Sequence, residues 1–333
     1  MESYSISTAI IAAEAKKRGI KVIPIHPGKV ILLKVGDHEE YFFYQFSSLT
    51  SSVAHQISNH KDAARSFLAR HGLSVSRGGD FDPTSLPQAL EFFNKINKPV
   101  VLKPTSGSHG RCVFTGIKTE KDFKECWSKI KRKYKRILVE EMFQGGTEYR
   151  IVATREKVLA ITNRVPANVA GDGIHTIKEL VKIKNNDPRR AEDDSYADHS
   201  KPLVKIKIDG MVKRMLEEKG LNADSIPKNG QLIFLRKNSN LSTGGDSIDY
   251  TDKVHPSVKK LAVEAIRSIP GLNYGGVDFL SKDITKEQTK DIYIIIEVNV
   301  SPGIFMHHFP YKGKPRDVAK EILDITFPET KAK

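Results

Sequence analysis

Cysteine is scarce in this sequence, since only Cys112 and Cys126 occur among its 333 residues. Two thiols cannot build a disulfide framework, and neither the CxxC nor the HExxH spacing of zinc sites is present. We therefore expect a reducing, cytoplasmic setting for the chain.

Long apolar runs are also missing. No stretch approaches the roughly 18 consecutive apolar residues that a transmembrane helix needs. Residues 1–19 lack the basic segment that precedes the apolar part of a secretory signal. We expect neither a secreted nor a membrane-integral protein. At about 150 residues per domain, the length predicts about two domains.

Positive charge is in excess, because 54 Lys and Arg residues face 40 Asp and Glu residues and the net charge is +14. The densest basic stretch, residues 129–136, could bind a nucleic acid or another anionic surface. Apolar residues at helical spacing lie just before this stretch or within it, namely Phe123, Trp127 and Ile130. They favour the alternative that the stretch is the solvated C-terminal end of an amphipathic helix.

Hydrophobic periodicity and turn residues divide most of the chain into short elements. From residue 99 onward strands alternate with helices, which indicates an α/β or α+β architecture. Residues 185–202 are polar and aperiodic, and they predict a mobile surface loop. The predicted helices are 5–18, 60–71, 119–133 and 257–269, and the predicted N-terminal strands are 21–25, 30–35 and 40–46.

A loop rich in glycine and hydroxyl groups follows the apolar run that ends at Lys103. Such a loop can offer backbone N–H groups to phosphate oxygens while the lysine adds a positive charge. The GxxxxGK[ST] spacing is absent, so the loop is not a Walker A motif. A plain β-turn explains residues 105–111 equally well.

Oxygen ligands are concentrated near the C-terminus. Glu297 and Asn299 are two residues apart at the end of an apolar strand, so both project from one face. Together with Asp278 they form a set of hard oxygen ligands that suits Mg²⁺ beside nucleotide phosphates. The alternative is a strand-end carboxylate held in an ion pair.

Two further groups are less specific. Glu140, Met142, Phe143 and Glu148 could hold a base and a ribose, although a buried strand edge explains them as well. The segment 236–245 places an arginine before amides, hydroxyls and a Gly-Gly turn, which could bind an oxyanion.

These four groups, in the order in which they stand along the chain, resemble the motifs of the ATP-grasp superfamily. The segments 164–180, 235–252 and 295–316 are similar to the ATP-grasp portion of bifunctional glutathione synthetase and cyanophycin synthetase. The resemblance implies an α+β ATP-grasp fold in which two α+β subdomains clamp ATP behind a short N-terminal α/β segment. It divides the chain at residues 1–57 (N-terminal segment), 58–142 (lid subdomain with the phosphate loop) and 143–333 (large subdomain).

The implied activity is carboxylate–amine ligation that uses ATP and Mg²⁺ and passes through an acylphosphate. The substrate is expected to be an amino acid or a short peptide, with γ-glutamyl and aspartyl peptides as candidates. The matched positions imply catalytic roles for Lys103, Arg236 and Asn240; nucleotide contacts for Lys61, Lys103, Ser106, Gly107, Ser108, His109, Gly110, Glu140, Met142, Phe143 and Glu148; magnesium ligation by Asp278, Glu297 and Asn299; and substrate contacts for Arg150, Arg164, Ser242, Thr243, Gly244 and His307.

Some residues keep an alternative interpretation. Arg150 and Arg164 could bind a substrate carboxylate or form structural ion pairs. His307 and His308, on a segment taken as extended, would point apart and chelate a metal poorly. Cys112 replaces a glycine of the family's phosphate loop, and we expect a small strand residue rather than a nucleophile.

The functional alternatives are a non-catalytic nucleotide- or peptide-binding protein on the same fold and, less favoured, a nucleic-acid-binding protein. Both resembling families fuse this region to a second catalytic domain, so a stand-alone, single-step ligase is expected here. Small-molecule partners and a homodimer or tetramer are expected from the resemblance alone, with no membrane partner.

Overall fold

The computed structural model describes residues 4–26, 28–106, 112–192 and 201–331. The chain forms two compact units, each built from separated stretches. The first unit comprises Met1–Leu49, Leu159–Asp252 and Ser301–Lys333, and the second comprises Thr50–Val158 and Lys253–Val300. The predicted three-part division of the chain stays a prediction.

Ten α-helices occur in the described ranges, and two short 3₁₀ turns lie at Leu241–Thr243 and Pro328–Thr330. The helices are α1 (Ile6–Lys17), α2 (Ser52–Asn59), α3 (Lys61–Arg70), α4 (Leu86–Lys95), α5 (Glu120–Lys131), α6 (Ile177–Asn185), α7 (Gly210–Glu217), α8 (Pro256–Ser268), α9 (Phe305–His308) and α10 (Val318–Thr326).

Seventeen strands occur in the same ranges. They are β1 (Lys21–His26), β2 (Val30–Val35), β3 (His38–Phe43), β4 (Phe46–Ser47), β5 (Gly78–Phe81), β6 (Val100–Pro104), β7 (Phe114–Ile117), β8 (Ile137–Glu141), β9 (Thr147–Thr154), β10 (Val158–Val165), β11 (Asn168–Ala170), β12 (Arg190–Ala191), β13 (Leu203–Val204), β14 (Leu232–Phe234), β15 (Asp246–Asp249), β16 (Tyr274–Ser281) and β17 (Tyr293–Asn299).

The N-terminal part of the first unit follows the sequence prediction closely. Helix α1 begins after Ser5, whose side chain accepts a hydrogen bond from the Thr8 N–H, and Gly19 adopts a φ of 75° beyond its end. Strands β1 to β4 form an antiparallel sheet in sequence order. The predicted strand 40–46 is interrupted, because Tyr44 has a φ of 55° and turns the chain between β3 and β4.

A second core of the first unit lies between α6, α7 and the β11–β14 pair. The N-terminus of α6 has a capping box, in which Thr176 and Glu179 satisfy each other's backbone N–H groups. The prediction of a surface loop over 185–202 is wrong at Arg190, which begins β12, pairs with β13 and is 2% exposed. Residues 193–200 lie outside the described residues.

The second unit contains an antiparallel sheet in the order β5-β8-β6-β7. Helices α4 and α5 cover it with an aromatic cluster in which Phe93, Phe123 and Trp127 are almost fully buried. Trp127 is therefore a core residue, as its helical spacing with Phe123 indicates. The Lys and Arg residues of the basic stretch 129–136, which begins in the last turn of α5, are exposed to solvent, and the last of them, Arg136, pairs with Asp80 at 2.6 Å.

Strands β9, β16 and β17 form the other sheet of this unit, with β16 antiparallel to both neighbours. Helix α8, close to the predicted 257–269, packs against β9 and β16. The pairing of β16 with β17 shifts register between Asp278 and Phe279, which leaves Ile296 as the extra residue of a β-bulge beside Glu297. The helices α2, α4, α6, α7, α9 and α10 were not predicted.

Among the described residues, no helix combines the length and the hydropathy that would let it cross a membrane.

The aromatic cluster beneath α5 predicts a large stability cost for truncation. Phe123 is 0% exposed and its ring centroid lies 4.8 Å from that of Phe93. We expect Phe123→Ala to lower the free energy of unfolding by about 3–5 kcal/mol, measured by urea titration. Lys121→Ala, on the exposed face of the same helix, is the control and should remain close to the parent protein. Equal midpoints for the two variants would contradict this packing.

Candidate active site

A buried ion pair links two adjacent strands of the second unit. Lys103 on β6 and Glu140 on β8 are 6% and 7% exposed, and Lys103 Nζ lies 2.5 Å from Glu140 Oε2. The other carboxylate oxygen of Glu140 lies 3.6 Å from Arg65 Nη1. Gly78 is opposite Glu140 in the neighbouring strand β5, and a Cβ there would lie 2.6 Å from Glu140 Cγ. A side chain at Gly78 would therefore displace this pair.

Lys61 brings a second amine to the same region. Its backbone N–H donates to the Thr105 carbonyl at 3.1 Å, which fixes the start of α3 against the end of β6. Its Nζ lies 3.9 Å from Glu297 Oε2. Burial lowers the pKa of Lys61, Glu297 acts in the opposite direction, and the like charge of Lys103 lowers the pKa further.

The predicted oxygen ligands meet on β16 and β17. Asp278 is directly opposite Glu297 in the strand register, and Asn299 Nδ2 donates to Glu297 Oε1 at 3.2 Å. Arg150, opposite Asp278 on β9, donates to both carboxylate oxygens of Asp278. The structure thus places Arg150 in an ion pair, which was the alternative to a substrate-binding role.

These ligands are two carboxylates and one amide. In the part of the chain that the structure describes, no group of three or more His, Cys, Asp and Glu side chains is arranged to hold a metal. Mg²⁺ accepts a site of one or two carboxylates, because water and phosphate oxygens complete its coordination. The donor chemistry of Asp278, Glu297 and Asn299 therefore fits Mg²⁺.

The phosphate loop is described only at its two ends. Ser106 follows β6 and is exposed, whereas Gly107, Ser108, His109 and Gly110 lie outside the described residues. Cys112, beyond the gap, has a φ of 55° in the left-handed region that favours glycine. Its side chain packs against the aromatic core of the β5-β8-β6-β7 sheet.

A cavity of about 360 Å³ lies within the second unit. Met142 and Phe143 line it, together with the strand end at Glu141. Lys282 Nζ lies 5.5 Å from the centroid of the Phe143 ring. Glu148, predicted to contact a ribose, is on β9 opposite Leu280. Most of the lining is polar or charged, and Met142 and Phe143 are among its few apolar members.

In the first unit, Arg236 follows β14 and is 7% exposed. Asn240 caps the 3₁₀ turn that contains Ser242 and Thr243, and the Thr243 hydroxyl donates to the Asn240 carbonyl at 2.9 Å. Gly244 ends this turn at a φ of 91°, where a Cβ would lie 2.7 Å from Ile206 Cγ1. Glycine is required there by both conformation and space.

His307 and Arg164 occupy the same region of this unit. His307 is 1% exposed and its Nδ1 lies 2.8 Å from the Thr162 hydroxyl on β10. Arg164 is two residues further along β10, so it projects from the same face as Thr162. The expectation of an extended segment at His307 and His308 is wrong, because both belong to the short helix α9. His308 Nε2 accepts the Ala319 N–H at 3.1 Å, so its role is structural.

Sequence reasoning missed a charged cluster in this unit. Asp246 accepts hydrogen bonds from Lys184 Nζ at 2.6 Å and from Arg190 Nη2 at 2.6 Å, and both cations lie over the Tyr311 ring. Burial lowers the pKa of Lys184, while Asp246 acts in the opposite direction. A cavity of about 880 Å³ opens beside it. Most of its lining residues belong to the motif segments 164–180, 235–252 and 295–316, and this shared membership was the available signal.

The chain is similar to parts of longer enzymes. It is 37% identical over 98% of its length to the glutathione biosynthesis bifunctional protein GshAB of Clostridium perfringens, and it covers 41% of that protein. It is 34% identical over 98% of its length to cyanophycin synthetase of Crocosphaera subtropica, of which it covers 37%. No protein-family model matches the chain.

A solved structure extends the similarity to the fold. The bifunctional glutathione synthetase from Pasteurella multocida matches 98% of this chain with a TM-score of 0.76 and 35% identity. The chain covers 45% of that structure, and it spans less than half the length of the relatives it matches. The predicted α+β ATP-grasp fold is confirmed, and so is the resemblance to the ATP-grasp portion of these enzymes.

The buried pair predicts strong thermodynamic coupling. Lys103→Met should lower the free energy of unfolding by about 3–5 kcal/mol, because Glu140 would lose its nearest counter-charge. The double variant Lys103→Met with Glu140→Gln should recover part of this loss, measured by a urea double-mutant cycle.

The exposed pair Lys95 and Glu91, at 2.5 Å on α4, provides the matched control. Lys95→Met should leave the unfolding midpoint nearly unchanged, since exposed ion pairs contribute little. If the losses in free energy of unfolding from Lys103→Met and Glu140→Gln simply add in the double variant, the coupling is contradicted.

Proposed function

We propose that this chain is an ATP- and Mg²⁺-dependent ligase that joins a carboxylate to an amine with release of ADP and phosphate. The carboxylate attacks the γ-phosphate of ATP to form an acylphosphate, and the amine then displaces phosphate to form an amide. The proposal is supported by the similarity to proteins named for glutathione biosynthesis and cyanophycin synthesis.

One observation carries the proposal. Two largely buried amines, Lys61 and Lys103, lie on the same side of the second unit as the facing carboxylates Asp278 and Glu297. A nucleoside triphosphate needs both kinds of group. Lysine side chains bind its phosphates directly, and carboxylates hold the metal ion that bridges them. The cavity lined by Met142 and Phe143 offers room for the base.

Asp278, Glu297 and Asn299 would hold Mg²⁺ in this arrangement. When bound, the metal would neutralise the charge of the phosphates and orient them. Arg150 forms hydrogen bonds with both oxygens of Asp278, so it fixes the direction of that carboxylate.

The first unit carries the residues that the resemblance assigns to the transferred phosphoryl group and to the substrates. Arg236 would stabilise the developing negative charge of the phosphoryl group, and Asn240 is also assigned a catalytic role. Arg164, the 242–244 turn and His307 would contact the substrates. Catalysis of this kind depends on positioning and charge neutralisation, so it needs no Ser-His-Asp triad.

The substrates would be small molecules, namely an amino acid or a short peptide. The net charge of +14 favours acidic substrates such as γ-glutamyl or aspartyl peptides. A cytoplasmic setting and a homodimer or tetramer remain expectations that rest on the cysteine content and on the resemblance.

Incubation with Mg²⁺-ATP and a pool of amino acids and acidic dipeptides tests the proposal. We expect ADP to form in step with a new mass equal to two pool members minus water. Glu297→Gln should reduce this rate by roughly a hundredfold or more, because a metal ligand loses its charge.

Glu264→Gln is the matched control, since Glu264 makes an exposed contact of 3.0 Å with His71 in the same unit. It should keep the parent rate. A parent-like rate in Glu297→Gln would refute the assignment of the site. If ATP binds to the parent protein but ADP stays at background across the pool, the non-catalytic alternative gains support.

A further inference from the structure

Arg236 is held at one end by a single carboxylate. Its Nη1 donates to Asp209 Oδ1 at 3.0 Å and its Nη2 donates to Asp209 Oδ2 at 2.7 Å. Two parallel hydrogen bonds fix both the position and the plane of a guanidinium. The contact joins residues that are 27 positions apart in the sequence.

Asp209 is itself fixed by the helix that follows it. It is the N-cap of α7, and its Oδ1 accepts the backbone N–H groups of Met211 and Val212, each at 3.0 Å. The hydrogen bonds from Arg236 and these two backbone groups lower the pKa of Asp209 to about 2. The carboxylate is therefore ionised at neutral pH.

The backbone around Arg236 is equally constrained. Leu235 is 0% exposed, and its N–H donates to the Ala167 carbonyl at 2.7 Å. The Arg236 side chain is 8% exposed, and within the described part of the chain its buried Nε has no hydrogen-bond partner. Because Asp209 occupies the Nη1–Nη2 end, the Nε–H and the outer N–H groups remain for another acceptor.

We propose that Asp209 is a positioning residue that holds the Arg236 guanidinium in one fixed orientation for its role in phosphoryl transfer. The inference rests on the proposed function, in which Arg236 stabilises the transferred phosphoryl group. Asp209 touches neither substrate in this account and acts only through Arg236. Preorganised donors stabilise charge in a transition state because they do not have to reorient when the charge develops.

The competing explanation is that Asp209 only caps α7. The two roles can be separated, because asparagine is as good an N-cap as aspartate but lacks the second anionic oxygen for the fork. Asp209→Asn should therefore keep the N-cap of α7 and lower the unfolding midpoint only through the lost counter-charge of Arg236, so kcat is measured well below that midpoint. We expect it to lower kcat about tenfold or more, with the KM for ATP changed less than about twofold.

A double-mutant cycle gives the sharper test. Arg236→Lys keeps the charge but cannot form the fork, so it should also lower kcat. If Asp209 acts through Arg236, Asp209→Asn should cause no further loss in the Arg236→Lys background. Glu218→Gln is the matched control, since Glu218 ends α7 and contacts Lys237, the neighbour of Arg236, at 2.9 Å on the surface. This control should keep the parent kcat.

A parent-like kcat in Asp209→Asn would overturn the inference, and so would an equal loss from Asp209→Asn in both backgrounds. Arginine ¹⁵N NMR tests the orientation without turnover. Separate, slowly exchanging Nη signals of Arg236 are expected in the parent protein, and averaged signals in Asp209→Asn. Averaged Nη signals in the parent would also overturn the inference. Absence of ADP formation by the parent with every acceptor would instead reject the proposed function, and the NMR comparison would still decide the orientation.

Discussion

The contact between Lys103 and Glu140 is the interaction on which the second unit's part of the site depends. Both side chains are buried, and a charge removed from water is costly unless a partner of opposite sign compensates for it. The pair requires the adjacent strands β6 and β8 and the absence of a side chain at Gly78, and Arg65 lies close to Glu140 as a second cation. Since β6 leads into the phosphate loop, the same strand that carries Lys103 also sets where that loop begins.

Buried cations in the first unit are also paired with carboxylates. Asp209 compensates Arg236, and Asp246 compensates both Lys184 and Arg190. In each case one carboxylate holds a cation that would otherwise be buried alone, and the carboxylate lies at the end of a helix or strand whose backbone fixes it. The candidate residues of each unit are therefore oriented charges on regular elements, an arrangement that would suit the proposed phosphoryl transfer.

Local patterns predicted much of this arrangement. The spacing of Glu297 and Asn299 predicted their shared face, and the helical spacing of Phe123 and Trp127 predicted α5 and its core. The burial of Arg190 was not predictable, because its partner Asp246 is 56 residues away and the segment around it is polar throughout. Helix α9 was missed because a helix of four residues leaves no periodic pattern. The order of the motifs, and not periodicity, indicated the fold.

The acylphosphate is the central chemical claim, and oxygen-isotope transfer tests it most directly. The acceptor-dependent reaction should be run with a substrate whose carboxylate carries ¹⁸O, and the released phosphate should be analysed by mass spectrometry. The proposed mechanism predicts that a labelled oxygen moves from the carboxylate to inorganic phosphate in step with amide formation. Amide formation that releases only unlabelled phosphate would contradict it.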